Sequence, residues 1–377
     1  MTNTALATIG IYFDHVHDPR VDRCRKFLLK DILFLSLTAV LCGANDFVAI
    51  EEFGNASIDF FSKYIDTTAG IPSHDTIGRI FNAIDPKQFQ SCFLSWISNI
   101  VKSTKGKFVA IDGKTVRGIS NPIHIINVWV AANSVVFSQL SVNSKQNEIT
   151  AINTLLDILD LTGAVITIDA IACQHAIVDK ISKHKADYVL AVKNNQKSLF
   201  SAIKSFFDDT SNLNKKLVDV AETTQKSRDR FERRICTVSS DKAIIGYINE
   251  DGTVWTGLNT IIKTESIIKR GDKKTTEERF FISSLKESAD FFASAIKGHW
   301  SIENNLHWVL DIAFREDDTR VQGRNAIANL SWLRKMVLSL LKQDTSKGSI
   351  KGKRNRAGWN EKFRESMLSL LFGYRLG

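Results

Sequence analysis

Two aspartates occupy similar places in the chain. Asp112 closes the apolar run Lys107–Asp112 (KFVAID) and Asp169 closes Ala164–Asp169 (AVITID), and each is followed by a small residue, Gly113 or Ala170. Short apolar runs of this kind read as buried strands, and carboxylates at the ends of neighbouring strands converge on one edge of a sheet. Two ionised carboxylates repel each other, yet together they offer the oxygen donors that a hard divalent cation takes. The plain alternative is a strand-ending Asp that serves only as a cap. A third acid lies far downstream, in the segment His299–Phe314 (HWSIENNLHWVLDIAF). There His299, Glu303, His307 and Asp311 recur every four residues and share one helix face, beside an apolar face of Ile302, Leu306, Val309, Leu310 and Ala313. A single helix can therefore bury one side and aim Glu303 at a cation held by Asp112 and Asp169. A His/Glu/His zinc site is the competing geometry. It lacks the HExxH spacing, and ligands all four residues apart fan out along the helix.

Other chemistries find little support. There is no GxSxG elbow and no cysteine with a catalytic flank, and neither GxxxxGK[ST] nor GxGxxG occurs. Five cysteines (Cys24, Cys42, Cys92, Cys173 and Cys236) without CxxC spacing argue against a disulfide scaffold or a cysteine zinc site. They fit a reducing, cytoplasmic setting. No apolar run reaches the roughly 18 residues of a membrane span and no secretory leader is evident, so no membrane partner is expected.

The elements that must position these acids fall into three zones. A chain of 377 residues is long for one small domain. Its 44 % apolar and 24 % charged residues are ordinary globular proportions, which excludes wholesale disorder. The first zone, residues 1–103, reads helical: Phe27 to Cys42 fits a buried helix ended by Gly43, Ser73 or Asp75 caps a second, and Asp85-Pro86 starts a third. The second changes period. The strand before Asp112, a hairpin of His124–Ala131 and Val135–Val142, a helix over 147–161, the strand before Asp169, a helix over 174–185 and a strand over 187–192 follow in order. That β-β-β-α-β-α-β succession predicts an α/β fold, a mixed sheet with helices packed on it. A polar interval, about 197–285, carries weaker strand signals at 234–238, 243–247 and 258–264 and a stronger one at 279–285, and reads as a β-rich insertion. From Ser288 the chain is helical again. Residues 344–377 form a basic tail, with Lys347, Lys351, Lys353, Arg354 and Arg356, before a last helix over 359–374. The net charge of +9 favours a polyanionic partner.

The segments VAIDGKTVRG (109–118), QLSVNSKQNEITAINTLLDILDLTGAVITIDAIACQ (139–174), ADYVLAVKNNQ (186–196) and GHWSIENNLHWVLDIAFREDDTR (298–320) resemble the H-repeat-associated family of bacterial insertion-sequence DDE transposases. PSHDTIGRIFNAIDP (72–86) is similar to that family's accessory helical region. The resemblance implies an RNase H-like catalytic domain over 104–343 that is interrupted by the insertion. By motif position Asp112, Asp169 and Glu303 would be the catalytic triad and the ligands of a two-metal Mg²⁺ or Mn²⁺ site. The implied activity is metal-dependent cleavage and strand transfer of double-stranded DNA, acting on terminal inverted repeats and target DNA, with a homodimer in the DNA complex and a nucleoid-associated location. Lys114, Arg117 and Lys193, just after strand ends, are candidates for steadying phosphates. So are Lys351, Lys353, Arg354 and Arg356 of the tail, for which a solvated linker is the other reading. Related transposases carry a Tyr–Arg–Glu–Lys signature on the last helix; here His299 holds the Arg place and Leu310 the Lys place. His299 is expected to meet a phosphate or orient Glu303. In RDRFERR (228–234), Arg230, Glu232 and Arg234 match the family's HGRxExR-like stretch, whereas Arg228 and Asp229 replace its His-Gly. Arg230 and Arg234 are therefore DNA-contact candidates. Two alternatives share these residues: a DNA-binding relic that no longer transposes, and a nuclease without strand transfer.

Overall fold

The computed structural model describes residues 13, 16–21, 23, 25–98, 100–117, 122–142, 147–209, 217–227, 230–250 and 254–371. The N-terminal zone is helical as read. Leu29–Leu41 is buried on nearly every side and stops before Gly43, whose φ of 116° suits glycine. Ser73 caps His74–Ala83 by accepting from the Thr76 amide, and Asp85 caps Pro86–Ile97 with proline in the first turn. These helices share one apolar core with the long C-terminal helix Arg324–Gln343. Asn329 of that helix donates to the carbonyls of Phe81 and Ile84 at 2.8 and 2.9 Å, and Trp332 packs on Phe93 with ring centroids 4.8 Å apart.

A nine-stranded mixed sheet fills the middle of the chain: β1 (Phe108–Val116), β2 (Ile123–Val130), β3 (Val135–Val142), β4 (Val165–Ile168), β5 (Asp187–Val192), β6 (Asp219–Ser227), β7 (Arg230–Ser239), β8 (Thr260–Arg270) and β9 (Lys273–Ser283). Their spatial order is β3-β2-β1-β4-β5-β9-β8-β7-β6. The β1–β4 and β4–β5 pairs are parallel and every other pair is antiparallel. The β2–β3 hairpin turns at Ala131–Ser134, with Ser134 left-handed at φ 50°.

Four readings are corrected. First, the strand before Asp112 does not end there. β2 pairs along the whole of β1, from Val109↔Val130 to Val116↔Ile123, so β1 runs four residues further. Second, residues 219–227, which carry no strand signal, form β6 against β7; Phe280–Ser283 of β9 pairs with Val189–Val192 of β5, and β6 to β9 prolong the core sheet. Third, residues 243–247 are helical within Lys242–Asn249. Asp241 caps that helix by accepting from the Ala243 and Ile244 amides, and Ile244, Ile245 and Ile248 pack on the core. Those residue types favour strands, but their spacing is helical. Fourth, the basic tail forms a helix, Ile350–Trp359. A break at Asn360 separates it from Glu361–Leu371, and residues 372–374 of the expected last helix lie outside the described residues.

Candidate active site

The register of the parallel strands brings the two aspartates together. Ile111 pairs with Ile168, so Asp112 and Asp169 are the next residues on adjacent strands. β4 stops there while β1 continues against β2 alone, which opens the sheet beside both carboxylates. Gly113 follows because nothing larger fits: a Cβ at this position would collide with His124 and Glu148, a buried ion pair behind the strand.

The third acid comes from a helix that begins at Ala289, capped by Ser288, and crosses this part of the sheet. At Glu303–His307 it passes through a π turn before resuming at Trp308–Phe314. Inserted turns of this kind recur at functional sites. Here the turn disperses the four-residue stack. His299 sits against β4, its Nδ1 3.0 Å from Thr167 Oγ1, while His307 is buried against β2, its Nε2 3.2 Å from Asn127 Nδ2. His307 Nδ1 lies 2.9 Å from Glu303 Oε2 and 3.7 Å from Asp112 Oδ2. Ligand atoms of Asp112, Glu303 and His307 all fall within 4.8 Å of one another. Asp169 lines the same cavity of about 340 Å³, together with Asp112, His299 and Glu303, and its carboxylate meets Lys193 Nζ at 3.1 Å. β9 forms the facing wall with Glu277 to Phe281.

The electrostatics differ from one acid to the next. Burial pushes the Asp112 carboxyl above its ordinary range; His307 and His299 pull it back and Glu303 adds to the rise. Glu303 is held low by its bond to His307. At Asp169 burial acts upward, but the Ala170 amide and Lys193 outweigh it and the carboxyl stays low. Burial lowers His299, partly offset by Asp112 and Asp169. A buried carboxylate raised beside a second one is the situation that a bound cation relieves.

The family model described as Transposase DDE domain matches residues 103–340, and the one described as DDE_Tnp_1-associated matches residues 11–97. The chain belongs to the DDE transposase family. This DDE transposase is 38 % identical over 368 residues to "Putative transposase YncI" of Escherichia coli O157:H7, covering 95 % of this chain and 93 % of that protein. It is 36 % identical over 355 residues to "H repeat-associated putative transposase YhhI" of Escherichia coli K12, covering 90 % and 92 %. The H-repeat resemblance is therefore borne out. A solved piggyBac transposase synaptic complex with hairpin DNA overlays with a TM-score of 0.45 at 10 % identity, covering 99 % of this chain and 81 % of that one. That likeness is too distant to carry an argument.

The donor set of this transposase suits a divalent cation. Asp112 and Glu303 offer hard carboxylate oxygens grouped with the His307 imidazole, and Asp169 stands on the same cavity with its carboxylate on Lys193. Among the described helices none is long and apolar enough to cross a membrane.

Several cations expected at phosphate are engaged elsewhere. Lys114 is buried, with Nζ on Asp311, on Glu316 at 3.1 Å and on Asp317 at 3.2 Å. Two residues past Asp112 it lies on the same face of β1, but Asp311 and the loop carrying Glu316 and Asp317 take its ammonium. Arg354 is buried too. It donates to the carbonyls of Val40, Ala44 and Ala313 and stacks on Phe314 at 4.2 Å, so it caps two helix ends. Lys353 holds Asp344, donating to its carbonyl at 2.6 Å. Lys351, Arg356 and Arg117 are exposed. Arg230 and Arg234 flank Glu232 on β7, at 2.9 and 2.6 Å, outside the cavity. His307 is the residue that spacing alone left aside, although it stood in the four-residue series.

Proposed function

We propose that the chain is the transposase of a bacterial insertion sequence, one that binds terminal inverted repeats and carries out metal-dependent strand cleavage and strand transfer. In this reading β3-β2-β1-β4-β5 is an RNase H-like core, the N-terminal helices are an accessory DNA-binding region, and Asp112, Asp169 and Glu303 are the catalytic acids. One observation carries it: acids from two adjacent parallel strands and from the helix across them line a single cavity.

Asp112, Asp169 and Glu303 would hold Mg²⁺ or Mn²⁺, which would supply charge stabilisation at phosphate and a lowered water pKa. The chain's own part is placement. His307 fixes the Glu303 carboxylate by its 2.9 Å bond, and Asn127 steadies the far side of the imidazole. Lys193, exposed at the cavity mouth, lies 3.1 Å from Asp169 and would be free to turn to a phosphate oxygen if a cation took its place there.

Purified protein, Mn²⁺ and linear DNA carrying the repeats that flank the gene make the test. Cleavage followed by joining to target DNA is expected, with Ca²⁺ supporting binding but little cutting, since its looser shell places the attacking oxygen poorly. Glu303→Ala should keep DNA binding and lose cleavage. Robust cutting in EDTA, or by the Glu303→Ala protein at the wild-type rate, overturns the assignment; cutting without joining favours the nuclease reading.

A further inference from the structure

Beyond the cavity, β6 to β9 run on as an antiparallel ribbon, and charge is sorted along it. In the half nearer the cavity cations are matched by acids: Arg279 with Glu277 at 2.7 Å, Lys263 with Glu278 at 2.7 Å and Arg233 with Glu222 at 2.6 Å. At the far end the matching stops. The ladder sets Ser227, Arg230, Arg270 and Lys273 side by side in one rung, and Lys226, Phe231, Lys269 and Lys274 in the next. Strands stand about 4.8 Å apart and successive rungs face opposite ways. Each face of the tip therefore shows three cations, across about 10 Å on one face and about 14 Å on the other. Arg230 is shared with Glu232, but Lys226, Lys269, Arg270, Lys273 and Lys274 are exposed, and among the described residues no carboxylate pairs with them. Besides Glu232, which Arg230 and Arg234 share, Asp272 in the turn between β8 and β9 is the acid among the described residues at this end.

Unpaired cations held on a rigid ladder repel one another, a cost that a polyanion removes. We propose that this tip is a backbone-contact site for duplex DNA flanking the cleaved phosphate; the inference rests on the transposase reading above. β9 sets the distance. It carries Lys273 and Lys274 at the tip and Phe280 at the cavity wall, seven residues apart, or about 24 Å at 3.4 Å per residue. On B-form DNA that is about seven base pairs from the cut.

The test uses the full chain, a 30-base-pair duplex of arbitrary sequence and the variant K269A/R270A/K273A/K274A, with affinity measured by fluorescence anisotropy across a salt series. Each phosphate deprived of its cation flattens the slope of log K against log salt by about 0.9, so three or four such phosphates lower it by about 3. Neutralising Lys102, Lys105 and Lys183, exposed at the opposite end of the sheet, should leave the slope alone. On duplexes shortened from the flank, wild-type affinity should step down below about seven base pairs from the cut, and the tip variant should show no step. A tip variant with the wild-type slope overturns this inference while a cutting wild type leaves the transposase reading standing. A wild type that neither binds nor cuts DNA in Mn²⁺ overturns both.

Discussion

Replacing Lys114 by methionine separates a buried structural cation from one that grips phosphate. The Lys114 side chain is 9 % exposed and that of Glu316 1 %. Removing one partner of a buried ion pair costs about 3–5 kcal/mol, because a charge is left without compensation. The cost here should be smaller. Arg334 remains 3.9 Å from Glu316, Lys335 is buried beside it, and Ser331 donates to it at 2.8 Å. Asp311 and Asp317, at 32 % and 29 % exposure, can turn to water. About 2–3 kcal/mol is therefore expected. At about 2.1 cal/mol/K of unfolding entropy per residue, 1 kcal/mol moves the melting point of a 377-residue chain by about 1.3 °C, so Lys114→Met should melt about 2.5–4 °C below wild type. Calorimetry measures the first quantity and the salt dependence of DNA affinity the second, which should not change. A variant that melts within a degree of wild type, with a slope flattened by about 0.9, would mean that Lys114 binds phosphate; the buried-network account would then be wrong.

The same network predicts an acid transition. Burial alone would raise the Glu316 carboxyl, but Lys335, Lys114 and Arg334 hold it down at about 2. A depressed carboxyl stabilises the fold above its unfolded value of about 4.3, and the benefit fades as pH falls through that value toward 2. Wild type should therefore lose melting temperature steeply across that window and Glu316→Gln should lose less; parallel curves would refute the linkage. The two site histidines should separate kinetically. His307→Ala, which frees Glu303, should raise the Mn²⁺ concentration needed for half-maximal cleavage, by about 10–100-fold for loss of an orienting partner. His299→Ala should lower the plateau with that requirement unchanged, and His299→Arg should retain more activity than alanine. The reverse pattern would make His299 the ligand.

Much of this arrangement was readable from residue order. Apolar runs ending in Asp112 and Asp169 located both on the sheet, because a four-residue apolar stretch before an acid has few other places to go. The β2–β3 hairpin and the capped N-terminal helices followed from turn chemistry and N-cap residues. What escaped depended on partners distant in sequence. The length of β1 is set by β2, and β6, with the polar sequence DVAETTQKS, is a strand only because β7 pairs with it. Nothing local in ENNLH announces a π turn, so the four-residue series promised His299 and His307 on one face when they lie against different strands. Lys114 and Arg354 looked like surface cations. Their burial is decided largely by acids and carbonyls far away in the chain, Glu316 202 residues from Lys114 and Val40 314 from Arg354.

The bond between β5 and β9 has a consequence for how such a chain can be shortened. β5 reads DYVLAV, and Tyr188 to Val192 are buried. With residues 197–285 gone, that apolar strand would become the rim of the sheet, its amides and carbonyls open to any passing strand. A decayed copy without this stretch would have no stable, soluble remnant to leave behind. An internal deletion of this stretch leaves Asp112, Asp169 and Glu303 in the chain but exposes an apolar edge prone to aggregation.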